Sequence, residues 1–449
     1  MLYSTLIAAL ALSPLVAARP WNGDHHNEPT DGNETHDWKS RIKNVVVLVL
    51  ENRSFDTFAG GLRYNDDIDG LLDIEYCNPV NVSDAHSAVV CAQNTAENVA
   101  PDDPAHGISG VNMEIFSTYH PNEAKSAKAR FEDENMLGFV TEQGTVFKTQ
   151  NVSRATEAIN YYSQEHIPVF AAMAENYVLF DRWFASVPGP TNPNRAYLTS
   201  GTSAGHGRND NAFNIAALTQ KSIFQQLSDK GISWINYSNT TGFQPDAMFY
   251  QWTVASGKSA TSIKPHKQFY ADAKAGKLPQ FTYINPECCS YDSFHPPSPV
   301  STGEAYIKSI YEALRSGPQW KDTLFIMTFD EHGGFGDHVA PPVNVPAGDA
   351  LVYTEKAPDG NNITFDFTRL GVRVPTVIMS PWVKKNVIEK KAQNRGGEYD
   401  HTSILAFLAK LWDLENLTPR TAWAATFEHL IQDEARNDTP QKLPDPVVY

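Results

Sequence analysis

The chain has 449 residues, with 36 Lys+Arg against 52 Asp+Glu, a formal net charge of −16, and 41% hydrophobic and 20% charged side chains. That balance excludes disordered, collagen-like and disulfide-framework chains, while the length allows one large core or two to three ordinary domains. Nucleic-acid binding is excluded too, because it needs clustered Lys/Arg and no basic run is present; a small anionic substrate would need a locally positive site, such as a metal, inside this acidic envelope.

Residues 1–18, MLYSTLIAALALSPLVAA, carry no charged side chain. Their apolar stretch of about 13 residues is too short for a bilayer core, which takes about 20. Small residues at Val16 and Ala18 before Arg19 predict a secretory signal cleaved before Arg19, and hence a secreted protein, extracellular or in the cell wall. No transmembrane segment is expected elsewhere. Nine Asn-x-Ser/Thr sequons, at Asn33, Asn52, Asn81, Asn151, Asn236, Asn239, Asn362, Asn416 and Asn437, agree with a eukaryotic secretory route and a glycoprotein. Residues 19–40 are polar and read as a flexible arm, leaving 41–449 as one large unit with no repeat or linker.

Order begins with the continuous aliphatic run from Asn44 to Leu50, the pattern of a strand buried on both faces of a parallel sheet. It ends in Glu51-Asn52-Arg53-Ser54-Phe55-Asp56. Cys77 and Cys91 would close a short loop; among the three pairings open to four cysteines this one is favoured, with Cys288 and Cys289 a vicinal bridge or free. A helix is expected over 167–175 and a strand over 177–180, followed by a Pro/Gly-forced loop, Ser186 to Pro190, and then Thr191-Asn-Pro-Asn-Arg195. Thr191 would thus sit near a helix N-terminus, where free N–H groups favour an anion; a plain capping role is the alternative reading.

Next come a helix over 222–229 and a strand over 232–237. The aromatic stretch from Met248 to Trp252 suits either core packing or contact with an apolar or cationic ligand. Strands follow at 281–284, 323–329 and 374–379, with helices over 304–315 and 402–414. Alternating strands and helices predict an α/β fold, layered around a mostly parallel sheet. The strand at 323–329 ends in Asp330-Glu331-His332-Gly-Gly-Phe-Gly-Asp337-His338. One acidic residue after a strand is commonplace; two dense clusters so placed should meet at one crevice, offering carboxylate and amide oxygens to a divalent cation.

Three segments carry a family resemblance: NVVVLVLENRSFDTFAG, VPGPTNPNRAYLTSGT and TFDEHGGFGDHVAPP resemble the non-haemolytic and non-specific phospholipases C and related acid phosphatases of the phosphoesterase family. Further matches are DPAH at 103–106, GKLPQFTYINPE at 276–287, FHPP at 294–297, SPWV at 380–383 and EYDHTS at 398–403. The resemblance runs from about Lys43 to Leu414. It implies an alkaline-phosphatase-like α/β fold and a covalent phospho-enzyme. It makes Thr191 the nucleophile and Glu51, Asn52, Asp330 and Glu331 the ligands of a divalent metal ion, calcium, magnesium, manganese or zinc. Arg195, His106, His295, His338 and His401 become candidates for phosphoryl contact and leaving-group protonation. Asn52, as a ligand, should be a silent sequon, and Arg53 and Asp56 should brace their loop.

Thr at position 191 also argues against sulfate esters, because the sulfatase-like spacing Thr-x-Pro-x-Arg requires a Cys or Ser that oxidises to an aldehyde. Thr191 with Asp330-Glu331 follows the phospholipase C pattern, and the acid-phosphatase branch shows Ser and a second Asp. The expected activity is therefore cleavage of the glycerol-side phosphoester of a phospholipid, with transient membrane-surface contact. A phosphomonoesterase of acid-phosphatase type stands second, and a non-catalytic glycoprotein third. The acidic surface favours zwitterionic lipid or small soluble esters as partners.

Overall fold

The computed structural model describes residues 37–121, 134–239, 244–287, 293–392 and 397–449. The expected signal peptide, the arm up to residue 36, and Cys288 and Cys289 lie outside the described residues. Trp38 opens a short 3-10 turn and rests on Phe407 with ring centroids 5.2 Å apart.

The central sheet contains β1 (Asn44–Leu50), β2 (Val178–Phe180), β3 (Trp234–Tyr237), β4 (Ile263–Lys264), β5 (Phe281–Ile284), β6 (Thr323–Phe329), β7 (Thr376–Met379) and β8 (Val387–Glu389). Its strand order is β8-β2-β7-β6-β1-β5-β3-β4. Only β7 runs against its neighbours β2 and β6, so the α/β fold around a mostly parallel sheet is as expected. Every residue of β1 and β6 is buried, which is why both read as unbroken apolar runs. Pairing in β7 starts at Thr376 because Pro375 has no N–H to give to the ladder.

Helices α1 (Phe55–Ala59), α2 (Ile108–Phe116), α3 (Pro168–Asn176), α4 (Thr191–Ser200), α5 (Ile223–Asp229), α6 (His266–Ala275), α7 (Val300–Ser316) and α8 (Thr402–Trp412) surround the sheet. Helix α7 packs with α3 and α6, and α4 packs with α5 and α8, giving two helical groups. Helix α7 starts four residues earlier than the apolar pattern suggests, since its first turn, Val300-Ser-Thr-Gly, is mostly small and polar. Cys77 and Cys91 are disulfide-bonded, facing each other across a short antiparallel ladder. No helix among the described residues is long and apolar enough to cross a membrane.

Parallel pairing decides where the functional side chains emerge. Leu50 is level with Phe329, and Tyr237 with Ile284, so the residues that follow, Glu51, Asp330, Ser238 and Asn285, leave the sheet along one edge. Ligands of open α/β sheets bind at that carboxyl edge.

Candidate active site

A pocket at this edge is lined by Thr191, Arg195, Glu51, Asp246, Asn285 and Glu287, among others. Thr191 is the first residue of α4, and Arg195 lies one turn on, on the same helix face. Asn194 fixes the preceding loop: its Oδ1 accepts from Val187 N–H at 2.8 Å, and its Nδ2 donates to the carbonyls of Gly189 at 2.9 Å and Pro190 at 3.2 Å. A buried amide thus holds the entry to the helix, with Thr191 half-buried at the pocket wall.

Arg195 is almost fully buried among carboxylates. Its Nε donates to Asp330 at 2.8 Å, Nη2 to Glu51 at 2.7 Å, and Nη1 to Asp246 at 3.4 Å. Asp246 is in turn held by Tyr283 Oη–H at 2.6 Å and Asn285 Nδ2 at 2.8 Å. One guanidinium therefore answers three buried carboxylates, while Glu331 adds a fourth beside Asp330.

Glu51, Asp330 and Glu331 are buried and bring ligand oxygens within 4.8 Å of one another. Glu51 Oε2 and Glu331 Oε1 have no hydrogen-bond partner. Burial pushes the Glu51 and Glu331 carboxyls up, and Asp330 up to about 7, with repulsion between the neighbouring carboxylates in the same direction. Orphaned carboxylate oxygens and surplus negative charge in one buried spot fit a divalent cation. The donor set is all oxygen, matching a hard ion such as calcium, magnesium or manganese better than zinc.

Two glycines close the neighbouring loops over this cluster. A Cβ on Gly333 would lie 2.4 Å from the Asn52 carbonyl oxygen, and one on Gly334 would lie 2.6 Å from that of Ala105. Both have positive φ, 66° and 71°, and Asn52 itself has φ 55°. Asn52 is fully buried and donates from Nδ2 to Asp103 at 2.9 Å, so it has no room for a glycan. His106 donates from Nδ1 to Pro104 O at 2.7 Å and turns Nε2 toward Glu331 Oε1 at 3.8 Å. His295 likewise spends Nδ1–H on Pro296 O at 2.6 Å and faces Asp103 with Nε2 at 3.6 Å. Burial lowers the pKa of His295.

The other two candidate histidines, His401 and His338, have different surroundings. His401 is fully buried; it donates from Nε2 to the Asp330 carbonyl at 2.6 Å and accepts from Trp183 Nε1–H at 3.3 Å on Nδ1. Burial lowers its pKa to about 4, and with both nitrogens engaged it braces the backbone of Asp330. His338 belongs to a second cluster, bonding Asp56 at 2.7 Å and Asp69 at 3.2 Å. There Arg373 also holds Asp337 at 3.0 Å and Asp56 at 2.9 Å. The carboxylate oxygens of Asp56 and Asp337 all have partners, in contrast to the Glu51–Glu331 cluster. The expected bracing role of Asp56 is met here. Arg53 is fully buried and stacks on Phe335, 4.3 Å from guanidinium carbon to ring centroid.

Sequence reasoning passed over Asp103, Asp246, Tyr283 and the buried pair Glu114–His332, bonded at 2.8 Å. Asp103 lies inside the DPAH motif and could have been found there; Asp246 follows no strand and no motif. In the Met248–Trp252 stretch, Phe249 and Tyr250 join the hydrophobic core, and Tyr250 Oη bonds Thr199 at 2.6 Å. The aromatic stretch is thus packing, with Phe249 also forming part of the pocket wall.

A mostly parallel α/β sheet whose carboxyl edge joins a helix-borne hydroxyl, an arginine and a buried carboxylate triad defines an ester hydrolase of the phosphoryl-transfer type. The chain belongs to the Phosphoesterase family, whose model matches residues 42–415. It is 37% identical over 430 residues to non-specific phospholipase C6 of Arabidopsis thaliana, covering 92% of this chain and 76% of that protein. Identity to the haemolytic phospholipase C of Pseudomonas aeruginosa is 26% over 458 residues, 90% of this chain and 57% of that protein. Among solved structures, a protein in the alkaline phosphatase superfamily from Vibrio parahaemolyticus aligns with 58% of this chain and 63% of that chain at 11% identity and TM-score 0.35. The protein is a phosphoric ester hydrolase.

Proposed function

We propose that the protein is a secreted phospholipase C that cleaves the glycerol-side phosphoester of a phosphatidylcholine-like lipid through a phosphothreonine at Thr191. The observation that carries this reading is Thr191 opening α4 in one pocket with Arg195 and Glu51, in a chain closely similar to named phospholipases C. Thr191 Oγ attacks phosphorus, the P–O bond to glycerol breaks, and diacylglycerol leaves with a proton. The phosphorus is then a diester between Thr191 and the head group; water attacks it, the P–O bond to Thr191 breaks, and the phosphorylated head group leaves with the threonine hydroxyl restored.

His106 and His295 each hold a proton on Nδ1 against a backbone carbonyl, so Nε2 is the atom at which either takes up or gives a proton. Arg195 fixes Glu51 and Asp330 relative to the nucleophile. Glu51, Asp330 and Glu331, with Asn52 alongside, would hold a divalent cation, which when bound supplies positive charge for the phosphoryl oxygens and the threonine oxygen.

Product analysis tests the reading: the enzyme is incubated with phosphatidylcholine and, separately, with p-nitrophenyl phosphate. Diacylglycerol and phosphocholine are expected from the first. Inorganic phosphate from the second without diacylglycerol from the first would assign the protein to the phosphomonoesterases instead. Export is tested by expression in a eukaryotic host and N-terminal sequencing of the medium, with Arg19 as the expected first residue.

A further inference from the structure

The pocket beside Thr191 holds more polar groups than the catalytic roles use. Two of its three carboxylates, Glu51 and Asp246, are bonded to Arg195 at 2.7 Å and 3.4 Å. Asn285 is committed within the protein: Nδ2 donates to Asp246 at 2.8 Å, and Oδ1 accepts from Asn236 Nδ2 at 2.8 Å. Beyond these the wall offers the carboxylate of Glu287, two residues past Asn285, and four neutral groups, the hydroxyl of Ser238 and the amides of Asn192, Asn214 and Gln244. Ser238 follows β3 at the carboxyl edge and is only 6% exposed, yet its Oγ has no hydrogen-bond partner among the described residues. The three amide side chains have none among them either. A buried hydroxyl of this kind is ordinarily satisfied by a ligand or ordered water.

Charge, shape and size narrow the ligand. Three carboxylates against one guanidinium make the wall net negative, which favours a cationic group. Apolar lining is confined to Phe249 and Pro286, so acyl chains are not taken up here. Phe249 is the sole ring among the described wall residues and is 2% exposed, so there is no aromatic cage for a quaternary ammonium. The free space is about 30 Å³, close to one water molecule's share of liquid volume. An –NH₃⁺ group fits that space. A trimethylammonium group enters only by moving the exposed Asn214 and Gln244 aside. A primary ammonium carries three N–H donors and no acceptor, and the wall presents oxygen acceptors on Ser238, Glu287 and the amides.

We propose that this pocket is the head-group subsite, and that Ser238 and Glu287 select a primary ammonium, as in phosphatidylethanolamine, over the trimethylammonium of phosphatidylcholine. The inference rests on the phospholipase C reading and orients the substrate, with the head group toward Glu287 and the acyl chains away from it. The test measures diacylglycerol release by the full-length enzyme from phosphatidylethanolamine, phosphatidylcholine and phosphatidylglycerol with the same acyl chains, each at one mole fraction in neutral detergent micelles. Phosphatidylethanolamine is expected to show a kcat/KM about tenfold above phosphatidylcholine, with phosphatidylglycerol, whose head group has hydroxyls but no cation, lower still. Glu287→Gln and Ser238→Ala should each bring the ethanolamine-to-choline ratio to within about twofold of one, mostly through KM. Glu287 is half-buried at the pocket wall, so its substitution leaves the fold intact even if that of Ser238 does not. Equal rates for the two zwitterionic lipids, a ratio unmoved in both variants, or fastest release from phosphatidylglycerol overturns the subsite and leaves the phospholipase reading standing. No diacylglycerol from any of the three overturns both.

Discussion

Gly333 shows how little space separates the two carboxylate-bearing loops. A methyl group there would meet the Asn52 carbonyl at 2.4 Å and strain a φ of 66°. Gly333→Ala is therefore expected to push the 51–53 loop off Glu331 and to weaken binding of a divalent cation to the Glu51–Asp330–Glu331 cluster about tenfold or more, measured by metal titration, with circular dichroism unchanged. Thr191→Ala should lower turnover roughly 10³-fold or more with an unchanged melting curve, and wild-type enzyme quenched in mid-reaction should yield a Thr191 peptide carrying the phosphorylated head group as an ester. Full activity in the variant would reject the nucleophile. At this scale the strand-end motifs made Glu51, Asp330 and Glu331 legible because each follows a buried run directly. Asp246 was not, since its place depends on Tyr283 and Asn285 from a strand that is distant in sequence. His338 and His401 sit in motifs of the same density as His106, and nothing local distinguishes the second-cluster ion pair or the neutral brace from a proton carrier.

Between elements, Glu304 is the clearest contributor. It projects from α7 into the N-terminus of α3, where its carboxylate accepts from Val169 N–H at 2.7 Å and Phe170 N–H at 2.9 Å. The helix dipole and two orphan donors are thereby met by one side chain. Burial raises its pKa from 4.5 to about 8. A carboxyl whose folded pKa is raised contributes stability that is present below about pH 4.5 and is lost as pH rises through about 8. Glu304→Gln should flatten the dependence of Tm on pH across that window; an unchanged slope would exclude the assignment. Asn194→Ala, which frees the turn before α4, should destabilise by about 1–3 kcal/mol and lower turnover more than it changes KM. The long elements β1, β6 and α8 were legible because burial imposes their apolar pattern. The short edge strands β4 and β8 were not, because two or three paired residues leave no periodic signal.

For the molecule as a whole, Arg373 and His338 lock together the loops after β1 and β6 and the approach to β7. Hydrogen bonds to Asp56 and Asp69 outweigh desolvation and raise the His338 pKa from 6.5 to about 10. Stability from this imidazolium is complete below about pH 6.5 and is lost as pH rises through about 10. From the acid side, the hydrogen bond from His338 lowers the Asp69 carboxyl from 3.8 to about 2, so its contribution fades only as pH falls through that range. Asp69 is 46% exposed, and solvent screening keeps its share small. His338→Asn is expected to remove the loss of Tm between pH 6.5 and 10; a wild-type slope in the variant would show that other groups carry it.

By itself the sequence determined the α/β layering and the acidic strand ends, because each rests on side-chain chemistry or periodicity within a short stretch of chain, and its motifs carried the family resemblance; the Cys77–Cys91 bridge it only favoured among three pairings. The tertiary structure alone decided which charges compensate which. Arg195 is neutralised by carboxylates from three separate segments, and His338 is drawn into a different cluster. Electrostatic energy depends on distance and burial, and parallel pairing brings together residues hundreds of positions apart that no local pattern connects.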